Sequence, residues 1–176
     1  MSNKLKSKFM FVDGAKAYKF FDKNYNKHKK GYVILGPPGC GKTTFIKNQS
    51  EKKKNWVDAD DLLGPNSLNV QWNLNSNNPD DFKLAYMRAD YMLEQSKLMG
   101  FRIIGSLFWE YKADAMVMPP LKIHKEYVKN RKSSEFKLDP KTLNKMRKLF
   151  RNHAKKFKIP IFSSVDDAVK YISSLD

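Results

Sequence analysis

The chain has 176 residues, which suits one globular domain, and 41% of them are hydrophobic, which excludes a wholly disordered protein. No apolar stretch is long enough for a membrane span, so we expect no membrane association. A single cysteine, Cys40, excludes an internal disulfide and a cysteine-based zinc site, and it predicts a reducing, cytoplasmic setting.

The formal net charge of +16 is unevenly distributed along the chain. Residues 1–31 carry a net charge of +7 and residues 122–158 carry +11, whereas residues 32–121 are neutral and residues 159–176 carry −2. Basic segments of this kind attract phosphates and nucleic acid. The alternative is a lysine-rich coding bias, since only five of the 34 basic residues are arginine. Composition leaves both interpretations open.

The predicted elements alternate between strands and helices. Residues 1–30 form either a basic arm, with a strand candidate at 9–12, or a docked helix, because residues 15–25 carry an apolar pattern. The elements that follow are a strand at 32–35, a helix at 44–53, a strand at 56–63, a loop at 64–78, a helix at 78–100, strands at 101–109 and 115–118, helices at 121–132 and 139–157, a strand at 160–162 and a helix at 165–175. Five short strands that alternate with helices predict an α/β fold, in which helices and a parallel five-stranded sheet form three layers.

A glycine-rich segment follows the first predicted strand. It reads Gly36-Pro37-Pro38-Gly39-Cys40-Gly41-Lys42-Thr43 and fits the Walker A pattern of a phosphate-binding loop. Glycines let successive N–H groups turn towards a phosphate, and the following helix points its positive end at the same place. We expect ATP here, with Lys42 bridging the β- and γ-phosphates, the Thr43 hydroxyl ligating Mg²⁺, and Thr44 as the last residue of the nucleotide site.

A second motif lies at the end of the strand predicted over residues 56–63. Asp58, Asp60 and Asp61 stand there, beside the crevice in which parallel sheets bind ligands. A Mg²⁺-dependent transfer needs one carboxylate near the metal and another near the acceptor hydroxyl. We therefore assign Asp58 to the metal and Asp60 to the acceptor, and we expect Asp61 to act only as a cap. The alternative is that these acids cap the next segment and face water.

With these two motifs, residues 31–176 resemble the small P-loop kinases, a group that holds nucleoside monophosphate, shikimate and gluconate kinases and phage-type polynucleotide 5′-hydroxyl kinases. The resemblance rests on the Walker A segment and on Asp58-Ala59-Asp60-Asp61-Leu62, which is similar to the group's Asp-x-Asp motif. It implies a P-loop kinase domain over 31–176, a helical lid at about 121–140, and ATP and Mg²⁺ as cofactors. The implied activity is transfer of the γ-phosphoryl group to a nucleoside or nucleotide acceptor.

The same resemblance implies roles for arginines outside the two motifs. Arg131 lies where the group's lid brings an arginine to the phosphoryl group, and Arg88 lies on a helix that often carries an acceptor-binding arginine. The chain departs from the group at Tyr127, where many members have a second arginine, and in the segment 105–110, which lacks the Asp-Gly of nucleoside monophosphate kinases. The cations that could replace the missing arginine are Lys129, Lys132, Arg147 and Arg151.

Three other functions stay open from the sequence. A polynucleotide 5′-hydroxyl kinase would use the surplus positive charge of residues 1–31 and 122–158. An AAA-type ATPase carries a similar Walker A segment, although no strand here ends in the apolar run and Asp-Glu that such enzymes need. A nucleotide-binding module without catalysis would keep the same loop.

Overall fold

The computed structural model describes residues 17–62, 79–130 and 139–176. The strand candidate at 9–12 and the loop predicted at 64–78 lie outside these residues. Within them, the helices are α1 (Ala17–Asn24), α2 (Lys42–Lys47), α3 (Ala59–Leu62), α4 (Pro79–Leu98), α5 (Leu121–Lys129), α6 (Pro140–Phe157) and α7 (Val165–Ser173).

Five short strands form a single sheet in the described part of the chain. They are β1 (Tyr32–Leu35), β2 (Trp56–Asp58), β3 (Arg102–Gly105), β4 (Ala115–Val117) and β5 (Ile161–Phe162), in the spatial order β2-β3-β1-β4-β5. Each neighbouring pair is parallel, which confirms the predicted α/β fold with a parallel five-stranded sheet. All four residues of the central β1 are buried, as expected for a strand that is covered on both faces.

Several predicted elements are too long. The helix predicted over 44–53 begins at Lys42 and ends at Lys47, because the Gln49 side chain pairs with the backbone of Trp56 through hydrogen bonds of 2.8 and 3.0 Å. The strand predicted over 101–109 ends at Gly105, because the N–H groups of residues 109 and 110 donate to the Asp90 carboxylate of α4.

The strand predicted over 56–63 is also too long, and its end matters for the site. It stops at Asp58, whose Oδ1 accepts the N–H of Asp60 at 3.0 Å and so starts α3. Asp60 and Asp61 therefore lie on a short helix and not on a strand. The prediction that Asp61 acts only as a cap is wrong, since Asp58 caps α3.

Helices cover both faces of the sheet. On one face, alternate strand residues such as Ile34 and Ile104 pack with Ile46 of α2 and with Val165 and Ile172 of α7. On the other face, residues such as Val33, Leu35 and Ile103 pack with side chains of α1, α4 and α6. Side chains of a strand point alternately to the two faces, so the apolar run of β1 supplies both cores.

The first described helix is packed against the sheet. Phe21 of α1 is fully buried and meets Phe101 edge-on, with 5.5 Å between the ring centres. Tyr25, just after the helix, is 4% exposed and pairs with Lys54 next to β2. Phe21 and Tyr25 thus contribute to the same core as Val33, Leu35 and Ile103.

The strand order opens a crevice at the carboxyl end of β1. From β1 the chain passes through α2 to β2, towards one edge of the sheet, whereas from β3 it passes to β4, towards the other edge. Connections that diverge in this way leave a gap where ligands bind in open parallel sheets. The glycine-rich loop, residues 36–41, lies at this point. No helix among the described residues is long and apolar enough to cross a membrane.

Truncating Phe21 tests whether α1 is part of the fold. We expect Phe21→Ala to lower the free energy of unfolding by about 3–4 kcal/mol, because it leaves a cavity between α1 and β3. Lys23→Ala, at an exposed position of the same helix, is the matched control and should change stability by less than about 0.5 kcal/mol. Urea unfolding measures both. Equal effects would mean that α1 packs too loosely to stabilise the domain.

Candidate functional site

The loop after β1 has a shape that requires glycine. Gly39 and Gly41 have φ angles of 83° and 98°, in the left-handed region that other residues rarely adopt. Gly36 lies under a folded-back side chain, since a Cβ at this position would come within 2.6 Å of Cys40 Sγ. Cys40 itself is 2% exposed and donates its N–H to the Pro37 carbonyl at 3.2 Å. The loop is therefore closed on itself at the end of β1.

Backbone donors lie at the start of α2. Lys42, Thr43 and Thr44 occupy the first turn, where N–H groups have no acceptor within a helix. Phe45 is the first residue whose N–H finds one, at the Gly41 carbonyl 3.0 Å away. The side chains of Thr43 and Thr44 are exposed. This turn can accept an anion on its N–H groups and can offer the Thr43 hydroxyl to a metal beside that anion.

The Lys42 side chain folds back over the loop. Its Nζ donates to the carbonyls of Gly36 and Pro37, at 3.0 and 3.1 Å, and lies 3.7 Å from Cys40 Sγ. These partners are neutral, so they do not compensate the positive charge of the ammonium group. A phosphate at the loop would offer this charge a stronger, ionic partner.

Asp58 stands on the same sheet face as α2. It is in register with Ile104 of β3, which is in register with Ile34 of β1, two residues before the loop. Trp56, which shares a strand face with Asp58, packs in the core beneath α2. The structure thus places Asp58 beside the helix that begins with Lys42.

The electrostatic environment of Asp58 is unusual for a carboxyl group. Burial raises its pKa to about 6, and the nearby charges of Asp60 and Asp61 act in the same direction. The N–H of Asp60 and the charge of Lys42 lower the pKa, but they do not outweigh burial. An ionised Asp58 therefore lacks adequate compensation, and a cation bound beside it would supply what is missing.

Asp60 and Asp61 have different surroundings. Both are exposed on α3. The Tyr25 hydroxyl donates a hydrogen bond to Asp61, and burial together with this bond raises the pKa of Tyr25. Asp61 therefore ties the segment after α1 to α3. Asp60 keeps its carboxylate exposed at the carboxyl end of the sheet.

The oxygen-bearing side chains at the carboxyl end of the sheet are of the kind that binds Mg²⁺ in proteins. Mg²⁺ takes oxygen ligands and is commonly held by one or two carboxylates together with substrate phosphates. Among the described residues, no group of three or more metal-binding side chains forms a protein-only site. Thr43 and Asp58 would hold the ion, and the phosphates and water would complete its shell.

Helix α5 lies directly against the loop, a contact that the sequence analysis missed. His124 is fully buried, and its Nε2 lies 2.9 Å from the Pro38 carbonyl. Val128, one turn later, occupies the space beside Gly39, because a Cβ at position 39 would come within 2.7 Å of Val128 Cγ2. A signal for this face existed, since residues 124 and 128 are four apart on a predicted helix.

Arg147 is not available as a phosphate-binding cation. It is 4% exposed, and its Nη1 donates to the Pro119 carbonyl at 2.7 Å and to Nδ1 of His124 at 2.9 Å. Its suggested role as a substitute lid arginine is therefore wrong. Lys129 and Arg151 are exposed. Arg131, Lys132 and the side chain of Arg88 lie outside what the structure describes, so their roles stay predictions.

Neither a comparison with models of known protein families nor a search of curated proteins yields a match for this chain.

The raised pKa of Asp58 makes stability depend on pH. Ionised Asp58 opposes folding, and this penalty is absent below about pH 4 and complete above about pH 6. We expect Asp58→Asn to raise the free energy of unfolding by about 1–2 kcal/mol at pH 7, because asparagine removes the charge and still caps α3. Urea unfolding between pH 4 and 7 gives the measurement.

Asp60→Asn is the matched control, since it removes the same charge from an exposed position of α3. The stability difference between the Asp58→Asn protein and the wild type should grow with pH, and the corresponding difference for Asp60→Asn should be much smaller. A difference for Asp58→Asn that stays constant over this range would contradict a desolvated Asp58.

Proposed function

We propose that the protein is an ATP- and Mg²⁺-dependent phosphotransferase that moves the γ-phosphoryl group of ATP to a nucleoside or nucleotide acceptor. One observation carries the proposal: Lys42, the first turn of α2 and a desolvated Asp58 lie together at the carboxyl end of a parallel sheet. The resemblance to small P-loop kinases supports the same interpretation.

The chemistry assigns separate tasks to the residues of this end. The N–H groups of the first turn and Lys42 would hold the phosphates of ATP, and Lys42 would exchange two neutral carbonyl partners for phosphate oxygens. Mg²⁺, when bound, neutralises charge on the phosphoryl group that is transferred. Thr43 and Asp58 would hold this ion.

Asp60 is the candidate base for the acceptor. Its carboxylate is exposed, two residues after Asp58, and its own N–H donates to Oδ1 of Asp58 at 3.0 Å. It can accept the proton of an incoming hydroxyl while Asp58 stays with the metal. Arg131 and Arg88 are the remaining proposed contacts, to phosphate and to the acceptor respectively.

A screen for transferred phosphate tests the proposal directly. Radiolabelled ATP and Mg²⁺ are incubated with nucleosides, nucleotides, small polyols and 5′-hydroxyl oligonucleotides, and labelled products are separated. We expect label on a nucleoside or a nucleotide. Acceptor-independent ATP hydrolysis that rises with oligomerisation would favour an AAA-type ATPase. Nucleotide binding without turnover would favour a binding module.

Replacing the loop lysine should abolish this transfer. We expect Lys42→Ala to reduce the transfer rate by about 100-fold or more, because the developing charge on the phosphoryl oxygens loses its cation. Lys47→Ala removes the same charge from an exposed position of the same helix and should leave the rate nearly unchanged. Initial rates at saturating ATP provide the comparison, and equal rates for both variants would refute the assignment of the loop.

Asp60→Asn separates binding from transfer in the same assay. It should remove transfer and leave ATP affinity close to that of the wild-type protein, since the variant keeps the backbone donor of the Asp58 cap. A loss of ATP binding together with transfer would assign Asp60 to the metal.

A polynucleotide 5′-hydroxyl kinase is a second candidate, which the basic surfaces of α5 and α6 favour. Glu126 is the only acidic residue in the two helices. The N-terminal half of α6 lies towards the carboxyl end of the sheet, because α6 leads into the amino end of β5. The exposed cations of the two helices are Lys122, Lys125, Lys129, Lys141, Lys145, Lys148, Arg151, Lys155 and Lys156.

Salt dependence distinguishes this candidate from a small acceptor. For a single-stranded 5′-hydroxyl oligonucleotide, the logarithm of the binding constant should fall with the logarithm of salt concentration by about 0.7 per phosphate contact. Replacing Lys141 and Lys145 together by glutamine should reduce this slope by about 1.4. Lys52→Gln, which changes an exposed residue in the connection to the amino end of β2, should not. An affinity that does not vary with salt would exclude a polynucleotide acceptor.

A further inference from the structure

The outer side of the loop needs hydrogen-bond donors. A loop that turns N–H groups towards an anion must turn carbonyl groups away from it, and buried carbonyls need partners. Lys42 provides them for Gly36 and Pro37, and the N–H of Cys40 also donates to Pro37. These donors belong to the loop or to its helix.

The carbonyl of Pro38 is different, because its donor comes from another element. Nε2 of His124, on α5, lies 2.9 Å from this oxygen. If Lys42 turns towards bound phosphates, the carbonyls of Gly36 and Pro37 lose that donor, but the His124 contact can persist. It is thus a contact from outside the loop that can hold the Pro38 carbonyl in place with and without nucleotide.

The hydrogen-bond partners determine which nitrogen of His124 carries the proton. Nη1 of Arg147 lies 2.9 Å from Nδ1, and a guanidinium group can only donate. Nδ1 must therefore accept, so the ring is neutral and Nε2 carries the hydrogen that is donated to Pro38. Burial, and the charges of Arg147 and Lys42, lower the pKa of His124 and favour this neutral form.

The Pro38 carbonyl and the Gly39 N–H belong to one peptide group. No peptide bond in the described residues is cis, so these two bonds point in opposite directions. Holding the oxygen against α5 consequently aims the Gly39 N–H away from α5. A chain of hydrogen bonds from a buried cation through His124 to this oxygen also polarises the peptide and makes its N–H a stronger donor.

We propose that His124 is a positioning residue, which orients the Pro38–Gly39 peptide so that the Gly39 N–H donates to a phosphate of the bound nucleotide. This inference rests on the proposed nucleotide site and adds to it a residue outside the Walker A motif. Val128 supports the same arrangement, because it packs where a side chain at Gly39 would lie.

Two amide substitutions separate the two hydrogen bonds of His124. In His124→Gln the amide reaches the place of Nε2 and can donate to Pro38, whereas in His124→Asn it reaches only the place of Nδ1 and can accept from Arg147. We expect His124→Asn to bind MgADP about tenfold more weakly than His124→Gln does, since the hydrogen bond to the Pro38 carbonyl is lost. Titration calorimetry measures the affinities, and thermal unfolding reports on folding.

Substitutions of Glu126 provide the control for the pair of His124 variants. Glu126→Asn and Glu126→Gln, at an exposed position of α5, should bind MgADP equally and so show that the helix itself does not cause the difference. If the two His124 variants bind equally, whether tightly or weakly, the positioning role is refuted and the proposed nucleotide site stands. If the wild-type protein does not bind MgADP, the proposed function fails.

A measurement on the unsubstituted protein guards against variants that do not fold. Nitrogen-15 NMR of His124 should show the hydrogen on Nε2 both in the free protein and with MgADP bound. Loss of the Nε2 hydrogen on MgADP binding, or a hydrogen on Nδ1, would overturn the proposal.

Discussion

The shape of the glycine-rich loop depends on hydrogen-bond donors for the carbonyl groups of residues 36–38. Without those donors, a six-residue loop with three glycines has many accessible shapes, and its N–H groups would not point in a common direction. Lys42 and His124 supply the donors from two different elements, Lys42 from α2 and His124 from α5. The packing of α5 is therefore part of the candidate site.

The sheet positions the acidic side of the site by register. Asp58, Ile104 and Ile34 are in register across three neighbouring strands. Gly105, at the end of β3, lets Ala59 approach closely, because a Cβ at position 105 would come within 2.8 Å of the Ala59 Cβ. This close approach lets α3 pack against the sheet. The Tyr25 hydroxyl then holds Asp61, so residues that precede the Walker A segment by more than ten positions help to place α3.

Local sequence signals predicted the elements with short-range causes. The four apolar residues of β1, the Asp139-Pro140 start of α6 and the glycines of the loop each have a local physical reason, and each is found. The apolar pattern predicts that β2 and β3 continue beyond Asp58 and Gly105, where the two strands end. These ends are set by contacts of the Asp58 and Asp90 side chains with backbone N–H groups, and nothing in an apolar run reveals such contacts.

The sequence alone determined the parallel α/β architecture and the place of the glycine-rich loop in it, because hydrophobic periodicity and the need for glycine at positive φ are local properties. Only the tertiary structure decided which distant side chains complete the site. It buried Arg147 behind His124 instead of leaving it free for phosphate, and it desolvated Asp58 while leaving Asp60 exposed. Burial and hydrogen-bond partners depend on which elements pack together, and residues 38, 124 and 147, which are far apart in the sequence, are brought together by that packing.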